Sequence, residues 1–181
     1  MIQPMSLLNS MVIIYLGSLL NVTDLRFKID TVSTRNKLNR CVISEYDMNI
    51  DYADYLLGEC KALKNDYEMG GRKIIQFGED YLYSKLNHIG RDKPQFIKDL
   101  IDDANSLFKT DFNSVLMNVY QAGKLIGIGK HSDSESGLEA NSEVLSISLG
   151  SPDFFYVESN ERNFDEPDEL INIPVYHGKL S

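Results

Sequence analysis

The chain has 181 residues, is 43% hydrophobic and contains 12 glycines and 5 prolines, which is enough to bury a sizeable core and excludes a disordered chain. Its two cysteines, Cys41 and Cys60, lack Cys-x-x-Cys spacing, which argues against a disulfide scaffold and for a reducing compartment. The net charge of -9 is concentrated in residues 131–169, which carry eleven acidic side chains against Arg162 alone, while residues 1–130 balance at 16 of each sign. Such a body does not track phosphates, so any nucleic-acid contact must be local.

The first apolar stretch, MSLLNSMVIIYLGSLL (5–20), has no basic residues before it and falls short of the roughly 20 apolar residues of a membrane helix. It reads as a buried or partner-facing segment, with a targeting or membrane role as the alternative. The sequon Asn21-Val22-Thr23 matters only in a secreted chain. Residues 49–66 predict a helix with Tyr52, Tyr55, Leu56, Cys60 and Leu63 on one stripe. RKIIQFGEDYLYSKLNHIG (72–90) predicts extended segments or hairpins around Gly78.

Residues 92–109 predict a second helix, with Asp92 as cap and Pro94 in the first turn. Its apolar face comprises Phe96, Ile97, Leu100, Ile101, Ala104, Leu107 and Phe108, and Asp102 and Asp103 lie on the wet side. After Thr110 the period changes to two. NSVLMNVYQ (113–121), KLIGIGKHSD (124–133), EVLSISLG (143–150), DFFYV (153–157) and LINIPVY (170–176) predict short strands, and SNERNFDEPDE (159–169) is a polar loop. Helices followed by closely spaced antiparallel strands imply an α+β fold with a sandwich or jelly-roll core. The expected division is a helical or variable region over 1–65 and a second unit over 66–181.

Three histidines are present: His88, His131 and His177. In extended chain, residues i and i+2 share a face, so His131 and Asp133 converge, as do Asn118 and Tyr120. A neutral imidazole beside a carboxylate suits iron, zinc or manganese, although an HxD pair taken alone fits a polar or hydrogen-bonded loop better than a ligand pair. GIGKHS (127–132) is not a dinucleotide loop, because Ser132 stands where the third glycine is needed, and Lys130-His131 does not make a P-loop.

The string over residues 113–150 resembles the AlkB family of Fe(II)/2-oxoglutarate dioxygenases: an N-x-Y strand, a short turn, H-x-D-x-E at 131–135, a loop, and a strand ending in Ser-Leu-Gly. FGEDYLYS (77–84) and the proline-opened helix match in order and spacing. The resemblance covers about residues 70–181, and AlkB domains within replicase polyproteins of plant RNA viruses look especially similar. It implies a double-stranded β-helix (jelly roll) core preceded by helices and a nucleotide-recognition lid.

The resemblance also implies site roles. His131 and Asp133 would be catalytic metal ligands, Asn118 and Tyr120 would bind 2-oxoglutarate, and Glu135 would read the base. Tyr81 and Tyr83 would belong to the lid that holds the substrate strand. The implied activity is oxidative demethylation of 1-methyladenine or 3-methylcytosine in single-stranded RNA or DNA, with Fe(II) and 2-oxoglutarate as cofactors. RNA repair alongside other replicase domains, in the host cytoplasm, would follow. One departure stands out. VYHGKLS (175–181) resembles the family strand that precedes the second metal histidine, so that histidine and the arginines that clamp 2-oxoglutarate would fall beyond Ser181. The domain is therefore expected to be incomplete at its C-terminus, with His177 the only later histidine able to act as third ligand. The competing expectation is a non-catalytic, truncated jelly roll that binds RNA or a protein partner.

Overall fold

The structure is a computed structural model that describes residues 11–16, 29–38, 41–64, 67–69, 71–83, 86–120, 129, 143–158 and 170–180. The strand expected over 124–133 lies outside these, apart from Gly129, and so do the sequon and the loop over 159–169.

Among the described residues there are twelve strands and two helices. The first half of the chain holds β1 (Met11–Leu16), β2 (Ile29–Leu38), β3 (Cys41–Met48), α1 (Ile50–Ala62), β4 (Tyr67–Met69), β5 (Arg72–Phe77), β6 (Tyr81–Tyr83) and β7 (Leu86–His88). The second half holds α2 (Gln95–Phe108), β8 (Ser114–Val119), β9 (Val144–Leu149), β10 (Asp153–Glu158), β11 (Leu170–Val175) and β12 (Lys179–Leu180). Eight strands form one sheet in the order β2-β3-β12-β9-β1-β8-β5-β4, and β10–β11 and β6–β7 are separate pairs.

The sheet is mixed, where uniformly antiparallel strands were expected. β1 runs parallel to both of its neighbours, β8 and β9. The physical reason is legible in MVIIYL: an unbroken apolar run, without polar alternation, is the signature of a strand buried among parallel partners. Residues 1–65 are also less helical than expected, since β1, β2 and β3 lie there beside α1.

Asn49 caps α1. Its Oδ1 accepts from the backbone N–H groups of Asp51 at 2.9 Å and Tyr52 at 3.3 Å, satisfying donors that the first turn leaves open. Helix α2 starts at Gln95 with Pro94 at its N-cap and no side-chain cap, so Asp92 does not take that role. Its far end is tied down by Asn105, whose Nδ2 donates to the Phe112 carbonyl at 2.9 Å and whose Oδ1 accepts from the Phe112 N–H at 2.6 Å. That clamp turns the chain from α2 into β8.

Both helices pack on one face of the sheet. Tyr52, Ala53, Leu56, Leu57 and Cys60 of α1 and Phe96, Ile97, Leu100, Ile101 and Ala104 of α2 meet Ile75, Phe77, Val115, Met117, Leu145, Ile147 and Leu149 in one cluster. At about 1.5–3 kcal/mol per fully buried large apolar side chain, this cluster is the main source of stability. Two members of the expected helical stripes point elsewhere: Tyr55 and Leu107 are exposed. Ala53 and Leu57 take the inward positions on α1. Met48 at the end of β3 and the buried face of α1 thus share one core with the later elements.

After β5 the chain turns at Gly78, which has φ +91°. A Cβ there would sit 2.6 Å from the Asn113 carbonyl oxygen and 2.7 Å from Ser114 Oγ. Gly78→Ala is therefore expected to destabilise the fold by about 1–3 kcal/mol, measurable by urea denaturation. The buried Cys60 thiol gives a second test. Burial foremost, and Glu59 next, push it up to about 12, and only a thiolate reacts readily. In a Cys41→Ser variant, a thiol reagent at about pH 8 should leave the native protein unmodified and label one cysteine after unfolding.

Candidate cofactor site on the polar face of the sheet

The side of the sheet away from the helices has a different chemistry. Alternation along β5 sends Ile75 and Phe77 to the helices and Arg72, Ile74 and Gln76 to the opposite side. β8 sends Ser114 and Asn118 to that same side, and β9 sends Ser146 and Ser148. All of these are buried. A strand register row crosses the sheet here, running Ile74, Asn118, Tyr15, Ser148, Lys179 and Asp47.

Polar groups out of water must be hydrogen-bonded or they cost stability. Gln76 Nε2 donates to the Glu79 carbonyl at 2.8 Å, and Ser114 Oγ accepts from the Glu79 N–H at 2.9 Å. Both anchor the turn that leads into the β6–β7 hairpin. Arg72 Nε donates to Asn118 Oδ1 at 3.0 Å in a buried contact. The arginine, 7% exposed, is thus held beside a neutral amide of the neighbouring strand.

The expected site residues divide as follows. Asn118 is buried on β8, paired with Arg72, and Tyr120 follows β8 in a half-buried position. His131, Asp133 and Glu135 lie outside the described residues. Among the described residues, no group of three or more His, Cys, Asp or Glu side chains is placed to hold a metal ion. Tyr81, read as a lid aromatic, is fully buried, with its ring centroid 6.1 Å from that of the buried His88 across the hairpin. Its ring packs within the hairpin. Tyr83 pairs with Leu86 in the same hairpin.

His177 occupies a tight seam. Its Nδ1 accepts from the Gly150 N–H at 2.9 Å, so the neutral ring carries its proton on Nε2, which lies 3.0 Å from Asp54 Oδ1. The next residue, Gly178, accepts from the Met48 N–H at 2.7 Å and donates to the Ser148 carbonyl at 2.9 Å. Both ring nitrogens are therefore engaged, and a metal at His177 would have to displace one of these partners.

Arg72 was not singled out in the sequence, nor were Ser146 and Ser148. The signal for Arg72 was present as the one charged member of the alternating set Arg72, Ile74 and Gln76. The serines looked like the solvent face of an amphipathic strand.

A sequence model of the 2OG-Fe(II) oxygenase superfamily matches residues 33–180. The chain belongs to that superfamily, whose members use Fe(II) and 2-oxoglutarate as cofactors. No curated protein matches the chain. The matched span begins within β2, so it takes in β3 and α1 along with the later elements. The described residues fit 2-oxoglutarate: an arginine, an asparagine and serines on one buried face supply donors for a dicarboxylate. For iron, the HxD residues that would hold it fall outside the described residues.

His177→Ala removes two hydrogen bonds that join α1 to the turn after β9. Its expected effect is a loss of about 1–3 kcal/mol in urea denaturation, with the affinity for Mn(II) unchanged. A drop in metal affinity without a drop in stability would instead make His177 a ligand.

Proposed function

We propose that this protein is an AlkB-type dioxygenase that oxidatively demethylates N-alkylated bases, 1-methyladenine and 3-methylcytosine, in single-stranded RNA or DNA. Superfamily membership supports the cofactor pair and an oxidative reaction. The AlkB subdivision is supported by His131-Ser132-Asp133-Ser134-Glu135 following the Asn118-Val119-Tyr120 strand. The observation that carries the reading furthest is the buried Arg72–Asn118 pair, which puts hydrogen-bond donors on the polar face where the N-x-Y strand runs. On this reading the large sheet and the β10–β11 pair are the two layers of a double-stranded β-helix, and the polar face is its interior.

The roles divide by chemistry. His131 and Asp133 would hold the metal, Asn118 and Tyr120 would orient 2-oxoglutarate, and Glu135 would hydrogen-bond the base. When bound, Fe(II) and 2-oxoglutarate supply the oxidising power drawn from O2, with succinate and CO2 as co-products. The N-methyl carbon leaves as formaldehyde and the base is restored. Ile74 and Ile173, both about 1% exposed, would help keep that interior dry. A base has to leave its stack to reach such a site, which single-stranded nucleic acid permits most easily. Stacking would then matter more than phosphate attraction, in keeping with the neutral charge balance of residues 1–130. The proposed setting is RNA repair within a viral replicase polyprotein, alongside its other domains.

Incubated with Fe(II), 2-oxoglutarate and an oligonucleotide carrying 1-methyladenine, the protein should release formaldehyde and succinate in equal amounts. His131→Ala and Asp133→Ala should each lower the rate more than about 100-fold, since losing even a side chain that orients a ligand costs about 10–100-fold. Succinate without formaldehyde from any methylated RNA or DNA would point to a different oxygenase substrate. Failure to bind metal at all would favour a non-catalytic RNA-binding or interaction module.

A further inference from the structure

We propose that the β6–β7 pair is an arm that opens as a unit, and that the backbone of Glu79 is the latch that holds it shut. Among the described residues this pair is separate from the eight-stranded sheet, and two strands alone are marginal without support from outside themselves. The support comes at the base of the arm. Ser114 Oγ accepts from the Glu79 N–H at 2.9 Å, and Gln76 Nε2 donates to the Glu79 carbonyl at 2.8 Å. Buried side chains from the neighbouring strands β5 and β8 thus grip both polar groups of one residue's backbone.

The two ends of the arm are also tied to each other. Asp80 Oδ1 accepts from the Gly90 N–H at 2.8 Å. The Gly78 N–H donates to the Arg91 carbonyl and the Arg91 N–H to the Gln76 carbonyl, each at 2.9 Å. Gly90 lies so close to Gly78 that a Cβ on it would overlap the Gly78 carbonyl oxygen. The arm therefore leaves and rejoins the sheet through one narrow neck, which makes it move as one body. Of the neck contacts, only those to Glu79 reach from the buried polar face. Each such bond adds modestly to stability, and Glu79 is itself exposed, so water can replace both partners when the arm lifts. Lifting uncovers Tyr81 and His88, which are buried while the arm is shut. It also opens the Gln76 amide and the Ser114 hydroxyl to water or a ligand, so the latch controls access to this end of the polar face. The inference stands apart from the oxygenase reading and does not depend on it.

The test is thiol labelling of the whole chain under native conditions, which traps open forms and tracks their population when reclosing is fast. A protein carrying Cys41→Ser and His88→Cys has two thiols, Cys60 in the buried core and one on the arm. The arm thiol should react about tenfold faster than Cys60, or more, because the arm opens without the core. Ser114→Ala and Gln76→Met should each speed labelling of the arm about five- to tenfold. Ser146→Ala removes a buried hydroxyl from β9, away from the neck, and should leave the arm's rate unchanged. Equal rates for the two thiols would overturn the inference, since the arm would then open only with the whole fold. An arm rate that neither latch substitution raises, or that Ser146→Ala raises as much, would overturn the role of Glu79. If Ser114→Ala fails to fold, Gln76→Met decides alone. If His88→Cys fails to fold, hydrogen exchange of the Glu79 amide decides: Gln76→Met, which leaves the bond to Ser114 in place, should speed it about five- to tenfold, and an unchanged rate removes the latch.

Discussion

Strands buried on both faces, as β5, β8 and β9 are, have no wet side on which to place their polar residues, and that constraint organises this protein. The helices take one side and fill it with aliphatic and aromatic groups. On the other side, Gln76, Ser114, Asn118, Ser146, Ser148 and Arg72 are buried all the same. Each such group must find a partner inside the protein or in a ligand. The turn after β5 meets part of that demand, through the Glu79 backbone. Arg72 and Asn118 meet another part by bonding to each other.

The C-terminal turn ties distant pieces of this architecture together. His177 links the turn after β9 to Asp54 on α1, and Gly178 links the end of β3 to β9. Tyr176 adds a hydrogen bond from its hydroxyl to Asp47 at 2.5 Å. Three consecutive residues thus connect α1, β3 and β9. Helix α1 lies within the matched span and packs in the same cluster as β8 and β9.

Much of this was legible in the sequence, for identifiable reasons. Helix α2 announced itself through apolar spacing and Pro94, and β8 and β9 through strict alternation, with Val115, Met117, Leu145 and Ile147 all reaching the core. The sheet topology was not legible, because partner choice and direction depend on contacts between residues far apart in sequence. Nor was the burial of Ser146, Ser148 and Tyr81: alternation separates two faces without saying which of them meets water. Arg72 escaped for the same reason, as a lone arginine in a strand looks like any surface cation until its burial is known.

The position of β1 carries a further consequence for how the protein assembles. Without β1, the hydrogen-bonded sheet would be two pieces, β4-β5-β8 and β9-β12-β3-β2, joined only by side-chain packing. Met11 must find Ser114 and Val144, separated from it by about one hundred residues or more, and Lys179 must find Asp47 across a similar stretch of chain. Such non-local pairings are slow to form. Asn118 lies in one piece and Ser148 in the other, with Tyr15 between them in register. The spacing across the polar row is therefore set by a six-residue strand whose two partners both lie far away in sequence.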